Sequence, residues 1–196
     1  LVPNESAARL DRLPGAVWLV VLGRAQTMLH LHVGIGGLRR EVLVDDAQAA
    51  FLRLRPDARI FEWGSGASTL WLAERAGSVH SVEHHAGWAA DLTPRLPSNV
   101  VLQVVEPTQT HRPAIGSQKA GHSGLDFSAY VNAIDATSGQ YDVIVIDGRA
   151  REACLTKAVG RLAPGGVIVF DNVDRRRYRD AIDALGAKVE VTMTRG

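Results

Sequence analysis

One cysteine, Cys154, stands in a chain of 196 residues, so there is no second thiol with which to close an internal disulfide, and the chain fits a reducing compartment. Cys154 lies in a segment of helical spacing with no histidine close in sequence, and it reads as a small buried apolar residue rather than a nucleophile. An excess of one charge is also missing. Lys and Arg number 22 against 21 Asp and Glu, a net charge of +1. No global field therefore draws the protein to nucleic acid or to an acidic membrane surface. Long hydrophobic runs are absent too: the most apolar early stretch, residues 16–22, is far short of the roughly 20 residues that span a bilayer. No small-residue cleavage pattern follows it, so it does not read as a signal peptide, and the expected setting is cytoplasmic. There are no internal repeats or low-complexity tracts. What is present, 46% hydrophobic residues in a chain of single-domain length, supplies one full core.

The densest signal runs from Arg59 to His85 and reads as strand, glycine turn, helix, second strand and a closing carboxylate. Ile60 and Phe61 belong to a short apolar run. Gly64 and Gly66, flanking Ser65, let the backbone turn sharply and approach a ligand, Ser68 or Thr69 caps the helix, and Gly77 closes it. Glu83 lies 19 residues beyond Gly64, near the roughly 20-residue spacing at which a carboxylate accepts hydrogen bonds from a ribose diol. The unit is therefore nucleoside-binding. A dinucleotide fingerprint carries a third glycine where this chain has Thr69, and Glu62 just before the turn repels a pyrophosphate while attracting an ammonium group. A ligand with a ribose and a cationic amino-acid end fits both acids, and S-adenosylmethionine is such a ligand.

The run Glu62-Trp63-Gly64-Ser65-Gly66 resembles the first motif of the class I S-adenosylmethionine-dependent methyltransferases, an acid followed by Gly-x-Gly, and the resemblance extends over roughly residues 58–195. It implies an α/β fold, a three-layer Rossmann-like sandwich around a mostly parallel central sheet. It also implies a cofactor held by Glu62, Gly64, Ser65, Gly66, Ser68, Thr69, Glu83 and Asp147, with His84 lining the adenine pocket and Glu106, just past the third strand, flanking it. Residues 1–57 form an N-terminal helical or extended cap segment, and residues 58–196 the cofactor domain. That fold normally adds one more antiparallel strand, which the sequence does not supply. The expectation is a truncated form or an edge completed by a neighbour.

Outside the motif the chain divides by period. Residues 1–15 read as a loose arm or as a short helix, Ser6 to Leu13, and Trp18, Leu22, Ala25 and Leu29 recur at helical spacing, which predicts an amphipathic helix over 16–29. Leu31, Val33 and Ile35 alternate. His30 and His32 then share one side of a strand, as a polar edge or lid, with no carboxylate or cysteine to complete a metal site. Asp45 or Asp46 caps a further helix. Residues 99–105 predict a third, buried strand. Residues 107–124 form a polar loop long enough to be functional, read either as a surface insertion or as a substrate cover whose His111, Lys119 and His122 meet an anionic or hydroxylated acceptor.

Val143 to Ile146 is apolar without interruption, as in a central parallel strand, and delivers Asp147 at the carboxyl end where open α/β sheets bind ligands. Asp147, His111 and His122 are the candidate catalytic residues, and Arg149 and Arg151 can meet a substrate anion. After a Pro-Gly-Gly turn a second buried strand ends at Asp171-Asn172. With Asp147 these make three oxygen ligands for Mg²⁺ or another hard cation, which looks like the metal site of catechol- and caffeoyl-CoA-type O-methyltransferases. Gly148-Arg149 departs from that pattern by bringing a cation close to it. Residues 174–180 are a basic run that reads as a solvated helix face in preference to a phosphate-binding one, and residues 188–194 alternate as a strand.

The function expected is S-adenosylmethionine-dependent methyl transfer, an O-methylation of a small molecule. The alternative is a non-catalytic cofactor-binding module or partner subunit on the same fold. An aminopropyl transferase is opposed by Arg149 and Arg151, and an NAD-linked oxidoreductase by Thr69 and Glu62. Expected partners are a small-molecule substrate and a second copy of the chain, met through the N-terminal segment or the C-terminal edge strand, with no nucleic acid and no membrane.

Overall fold

The computed structural model describes residues 17–22, 54–171, 175–185 and 189–194. In chain order the elements are β1 (Val17–Leu22), β2 (Arg59–Trp63), α1 (Ala67–Ala73), β3 (Ser78–Glu83), α2 (Ala86–Leu92), β4 (Val100–Val104), β5 (Thr108–Gln109), β6 (Leu125–Asp126), α3 (Ser128–Asn132), β7 (Tyr141–Ile146), α4 (Arg151–Val159), β8 (Leu162–Asp171), α5 (Arg176–Asp183) and β9 (Val189–Thr194). Seven of the strands form one sheet in the order β4-β3-β2-β7-β8-β1-β9, and every pairing in it is parallel. β5 and β6 make a separate antiparallel pair.

The central strands are apolar on both faces, and their alternation sorts the core into two layers. Ile60, Val143, Val145, Val167 and Val169 pack with Trp71 and Leu72 of α1 on one face. Phe61, Ile144, Ile146, Ile168 and Phe170 pack on the other with Tyr130 of α3, Leu155 of α4 and Ile182 of α5. A sheet covered on both faces is what parallel pairing requires. The result is the three-layer Rossmann-like sandwich expected from the motif. Opposite β7, the Pro164-Gly165-Gly166 stretch shifts the register, Tyr141 pairing Leu162 while Val143 pairs Val167, so the turn read from sequence is a bulge at the start of β8.

Four expectations are corrected. Residues 17–22, placed in an amphipathic helix over 16–29, form β1, a strand between β8 and β9. A short, wholly apolar run satisfies a buried strand as well as a helix, and pairing on both sides decides for the strand. The sheet thus draws on both segments divided at residue 57, with β1 between β8 and β9. Gly77 does not close α1, which ends at Ala73. It sits where a side chain would meet the Pro56 carbonyl 2.8 Å away. The strand over 99–105 is the sheet edge rather than buried, with Val101 58% and Val104 46% exposed. The loop 107–124 is not structureless. The β5–β6 pair closes its base, Thr110 N–H donates to the Gly124 carbonyl at 2.7 Å, and Phe127 N–H to that of Ile115 at 2.8 Å.

The short helix over 6–13, the alternation carrying His30 and His32, the helix after Asp45 and Asp46, and Asn172 lie outside the described residues. Among the described residues no helix is long and apolar enough to cross a membrane.

Candidate functional site

Strand direction brings the carboxyl ends of β3, β2, β7 and β8 side by side, and the candidate residues gather there. Gly64 follows β2 with φ +97°, a conformation glycine adopts without strain, and a Cβ on it would lie 2.7 Å from the Gly148 backbone after β7. Gly148 is constrained in the same way, because a Cβ there would fall 1.9 Å from the Tyr130 hydroxyl. The two turns therefore touch, backbone to backbone. Gly66 has open space where a side chain would stand, and its N–H donates to Thr69 Oγ1 at 2.9 Å at the start of α1.

Glu62 and Glu83 occupy contrasting settings. Glu62 is fully buried and paired in register with Ser81 of β3. It accepts hydrogen bonds from the hydroxyls of Ser68, of Thr69 at 2.5 Å and of Ser81 at 2.6 Å. Burial pushes its carboxyl above the ordinary glutamate value, and the three hydroxyls pull against that shift. The geometry makes Glu62 an anchor that ties the start of α1 to β2 and β3, with no face open to an ammonium group.

Glu83, 3% exposed, is held by backbone amides: His84 N–H at 2.7 Å and His85 N–H at 2.9 Å reach Oε1, and Ser65 N–H at 3.1 Å reaches Oε2. His84 Nδ1 stands 2.7 Å from Oε1, at ion-pair distance but without the alignment of a hydrogen bond. Burial raises the Glu83 carboxyl, but the His84 ring and these amides outweigh it, and the net shift is downward. Ser65 also shares a 2.7 Å hydrogen bond with Ser81, and its carbonyl accepts the Trp88 indole N–H at 2.8 Å.

On the other face an aromatic group joins the sheet to the 107–124 loop. The His84 ring lies 5.8 Å from Tyr130, 5.9 Å from Phe127 and 6.2 Å from His122, and His122 stacks on Phe127 at 6.0 Å. His122 Nδ1 is 3.2 Å from the Ala120 carbonyl. A carbonyl only accepts, so Nδ1 carries the proton in the neutral ring and Nε2 keeps its lone pair. Burial and the nearby cations Arg149 and Lys119 hold the His122 pKa below the ordinary histidine value, although the Ala120 carbonyl raises it. The Tyr130 hydroxyl is buried and makes no hydrogen bond among the described residues, although the Arg149 amide lies near it.

Asp147 directly follows β7 with its side chain half exposed, and its Oδ1 accepts a 2.7 Å hydrogen bond from Arg151, whose side chain is 9% exposed. The sequence-derived set thus divides. Gly64, Ser65, Gly66, Glu83, His84, His122 and Asp147 meet at the strand ends, and Glu62, Ser68 and Thr69 lie beneath the turn. Glu106 is exposed beyond β4. His111 is exposed on the loop, with no hydrogen bond, ion pair or ring contact to Asp147 or His122. For the metal set, Ile146 pairs with Phe170, so Asp147 and Asp171 end neighbouring strands. Beyond that, no three His, Cys, Asp or Glu residues converge as cation ligands among the described residues. Sequence reading missed Ser81, Trp88 and Tyr130. Ser81 was detectable as a polar residue two before Glu83, hence on the same face of β3.

A family model described as a methyltransferase domain matches residues 61–173, more than half of the chain. No curated protein matches the sequence. Among solved structures, a methyltransferase-like protein from Silicibacter pomeroyi is 26% identical, with TM-score 0.51 over 79% of this chain and 91% of that one. A precorrin 8W decarboxylase from Methanobacterium thermoautotrophicum is 18% identical, with TM-score 0.49 over 71% of this chain and 69% of its own. With the glycine turn, the amide-held acid at the end of β3 and the doubly covered parallel sheet already in place, the match assigns the family: the chain belongs to the class I S-adenosylmethionine-dependent methyltransferases.

Proposed function

We propose that the protein transfers a methyl group from S-adenosylmethionine to a hydroxyl of a small molecule. The observation that carries the reading is Glu83, a carboxylate fixed by three backbone amides at the end of β3 and against the glycine turn. Its Oε2 accepts from Ser65 N–H and retains lone-pair capacity for a ribose hydroxyl. The residues present fit the cofactor: the space beside Gly66 admits a ligand at the turn, and the buried Tyr130 hydroxyl is a polar atom at the strand ends without a partner. Glu83, Ser65 and Gly66 would hold the ribose and methionyl portions, and His84 would border the base. When bound, S-adenosylmethionine supplies an electrophilic methyl group on a sulfonium.

The chain's own contribution is alignment and proton handling. Fixing a nucleophile against a bound methyl donor can lower a barrier by as much as about 7 to 11 kcal/mol. His122 is the group suited to take the acceptor's proton: its depressed pKa keeps it neutral at physiological pH, and Nε2 carries the lone pair. Asp147, braced by Arg151, presents a fixed negative charge at the end of β7. His111 has no part in this arrangement.

Calorimetric titration with S-adenosylmethionine and, separately, with NAD tests the assignment. Binding of the first alone is expected, with Glu83→Ala weakening it at least about tenfold, as loss of a charged hydrogen-bond acceptor does. NAD binding in its place, or an unchanged Glu83→Ala titration, would refute it. In an acceptor screen, His122→Ala should abolish turnover while leaving cofactor affinity intact.

A further inference from the structure

Beside the strand ends lies a second feature, a pocket of about 440 Å³ between residues 114–119 of the loop, the turn after β7 and the start of α5. Its charge is one-sided. Lys119, Arg149, Arg151, Arg175 and Arg177 line it, with Glu152 as the carboxylate among its lining residues. Two of the cations are engaged: Arg151 by Asp147 at 2.7 Å, and Arg177 by Glu152 at 2.6 Å. Lys119, Arg149 and Arg175 have no carboxylate partner among the described residues, and Arg149 Nε is buried without a hydrogen bond. Three cations turned on one cavity repel each other, and the cost is relieved by an anion that accepts from guanidinium and ammonium together.

Two further observations make the cavity part of the site. Gly148 lines it and also abuts Gly64, so it adjoins the cofactor turn directly. Ala150, the next residue but one, is the single non-glycine residue with positive φ among those described, at +48°. Such strain is retained where surrounding structure enforces it, commonly at ligand sites. The loop wall is fixed as well, since Arg177 reaches Gln118 Oε1 at 2.5 Å.

We infer that this pocket binds an oxyanion, a carboxylate or a phosphate, carried by the methyl acceptor, with Arg149 and Lys119 as its principal donors. The inference rests on the methyltransferase reading for the word acceptor, and on the pocket alone for the anion. An acceptor anchored there by its anionic end has its reactive hydroxyl delivered toward Gly64, Asp147 and His122.

The probes are benzoate, phenyl phosphate and uncharged benzyl alcohol, titrated by NMR into the full chain with and without saturating S-adenosylmethionine. Both anions are expected to bind, the tighter naming the group, with affinity falling as salt rises and benzyl alcohol failing to compete. Arg149→Gln and Lys119→Gln should each weaken anion binding about tenfold and leave the S-adenosylmethionine titration unchanged. Lys119, exposed on the loop, can be replaced without endangering the fold. Benzyl alcohol binding as well as benzoate, no anion binding, or neither variant weakening it would overturn the inference. If anions bind but S-adenosylmethionine does not, the methyl-donor reading fails and the oxyanion site stands. The reverse result removes the site alone.

Discussion

Two glutamates 21 positions apart in sequence, Glu62 and Glu83, differ in what satisfies them, and the difference sets opposite pH behaviour. Glu83 faces backbone amides and the His84 ring, which favour its charged form, so its folded pKa is depressed. Its contribution is present above the ordinary glutamate value and is lost as the pH falls through the lower folded one. Among the described residues Glu62 has hydroxyls as its partners and neither a cation nor an amide, and full burial raises its folded pKa. The folded state then holds a proton that the unfolded chain has released. Stability from Glu62 is complete below the ordinary value and declines as the pH rises through the raised one. Glu62→Gln keeps the shape and cannot titrate. Urea unfolding from about pH 4 to about pH 8 should show the stability difference moving in favour of the glutamine protein, by at most about 1.4 kcal/mol per pH unit within the titration window. A difference independent of pH would mean that the carboxyl titrates as it does in the unfolded chain.

The element most dependent on a single side chain is the 107–124 loop. Asp126 in β6 accepts Ala114 N–H at 2.8 Å on one oxygen and Ser128 N–H at 2.7 Å on the other, joining the loop's far wall to the start of α3. The Ser128 hydroxyl and these amides lower its pKa to about 2, so the clamp persists at any pH above that and loosens only as the pH falls through it. Asp126→Ala should speed hydrogen exchange at Ala114 and its loop neighbours while global unfolding and cofactor affinity change little. Unaltered protection at Ala114 would show that the β5–β6 pair alone holds the loop. The sequence reveals this element only in outline. Two-residue strands carry no period, and the pairing of Thr108 with Asp126 is made across residues with no local signal. The β2–α1–β3 unit was legible because Gly64, Glu83 and the apolar runs are local features at fixed spacing. β7 was legible because Val143 to Ile146 is short, uninterrupted and wholly β-branched, which favours a doubly buried strand over a helix segment. β1 was not: the spacing of Trp18, Leu22, Ala25 and Leu29 imitates a helix, and the β8 and β9 partners that decide otherwise lie about 150 or more residues away along the chain. Glu62 shows the same limit at the site. Its position before Gly64 was legible, but the hydroxyl of Ser81 that turns it inward comes from another strand.

Across the whole molecule the sheet divides into a half that carries the site and a half that closes the fold. Glu62, Glu83 and Asp147 come from β2, β3 and β7, whereas β1 joins β8 to β9 on the far side. Pairing between β1 and β8 closes a very long loop, a contact that forms late and is slow to find. Among the described residues β9 has no other neighbour in the sheet, so its place there depends on β1. Leu19 is paired with Ile168 on one side and Val191 on the other. Leu19→Pro removes a ladder donor and leaves an acceptor unsatisfied, a loss of about 1–3 kcal/mol, with ring clashes adding to it. Hydrogen exchange should then show the amides of β9 losing protection while those of β2 and β3 keep theirs. S-adenosylmethionine affinity, measured well below the unfolding temperature, should stay within about twofold, far less than the tenfold step of 1.4 kcal/mol. Full protection of β9 in the variant would mean that this strand is held by something other than β1. A loss of cofactor affinity alongside intact β2 and β3 would mean that the two halves of the sheet are coupled rather than stacked independently on their helices.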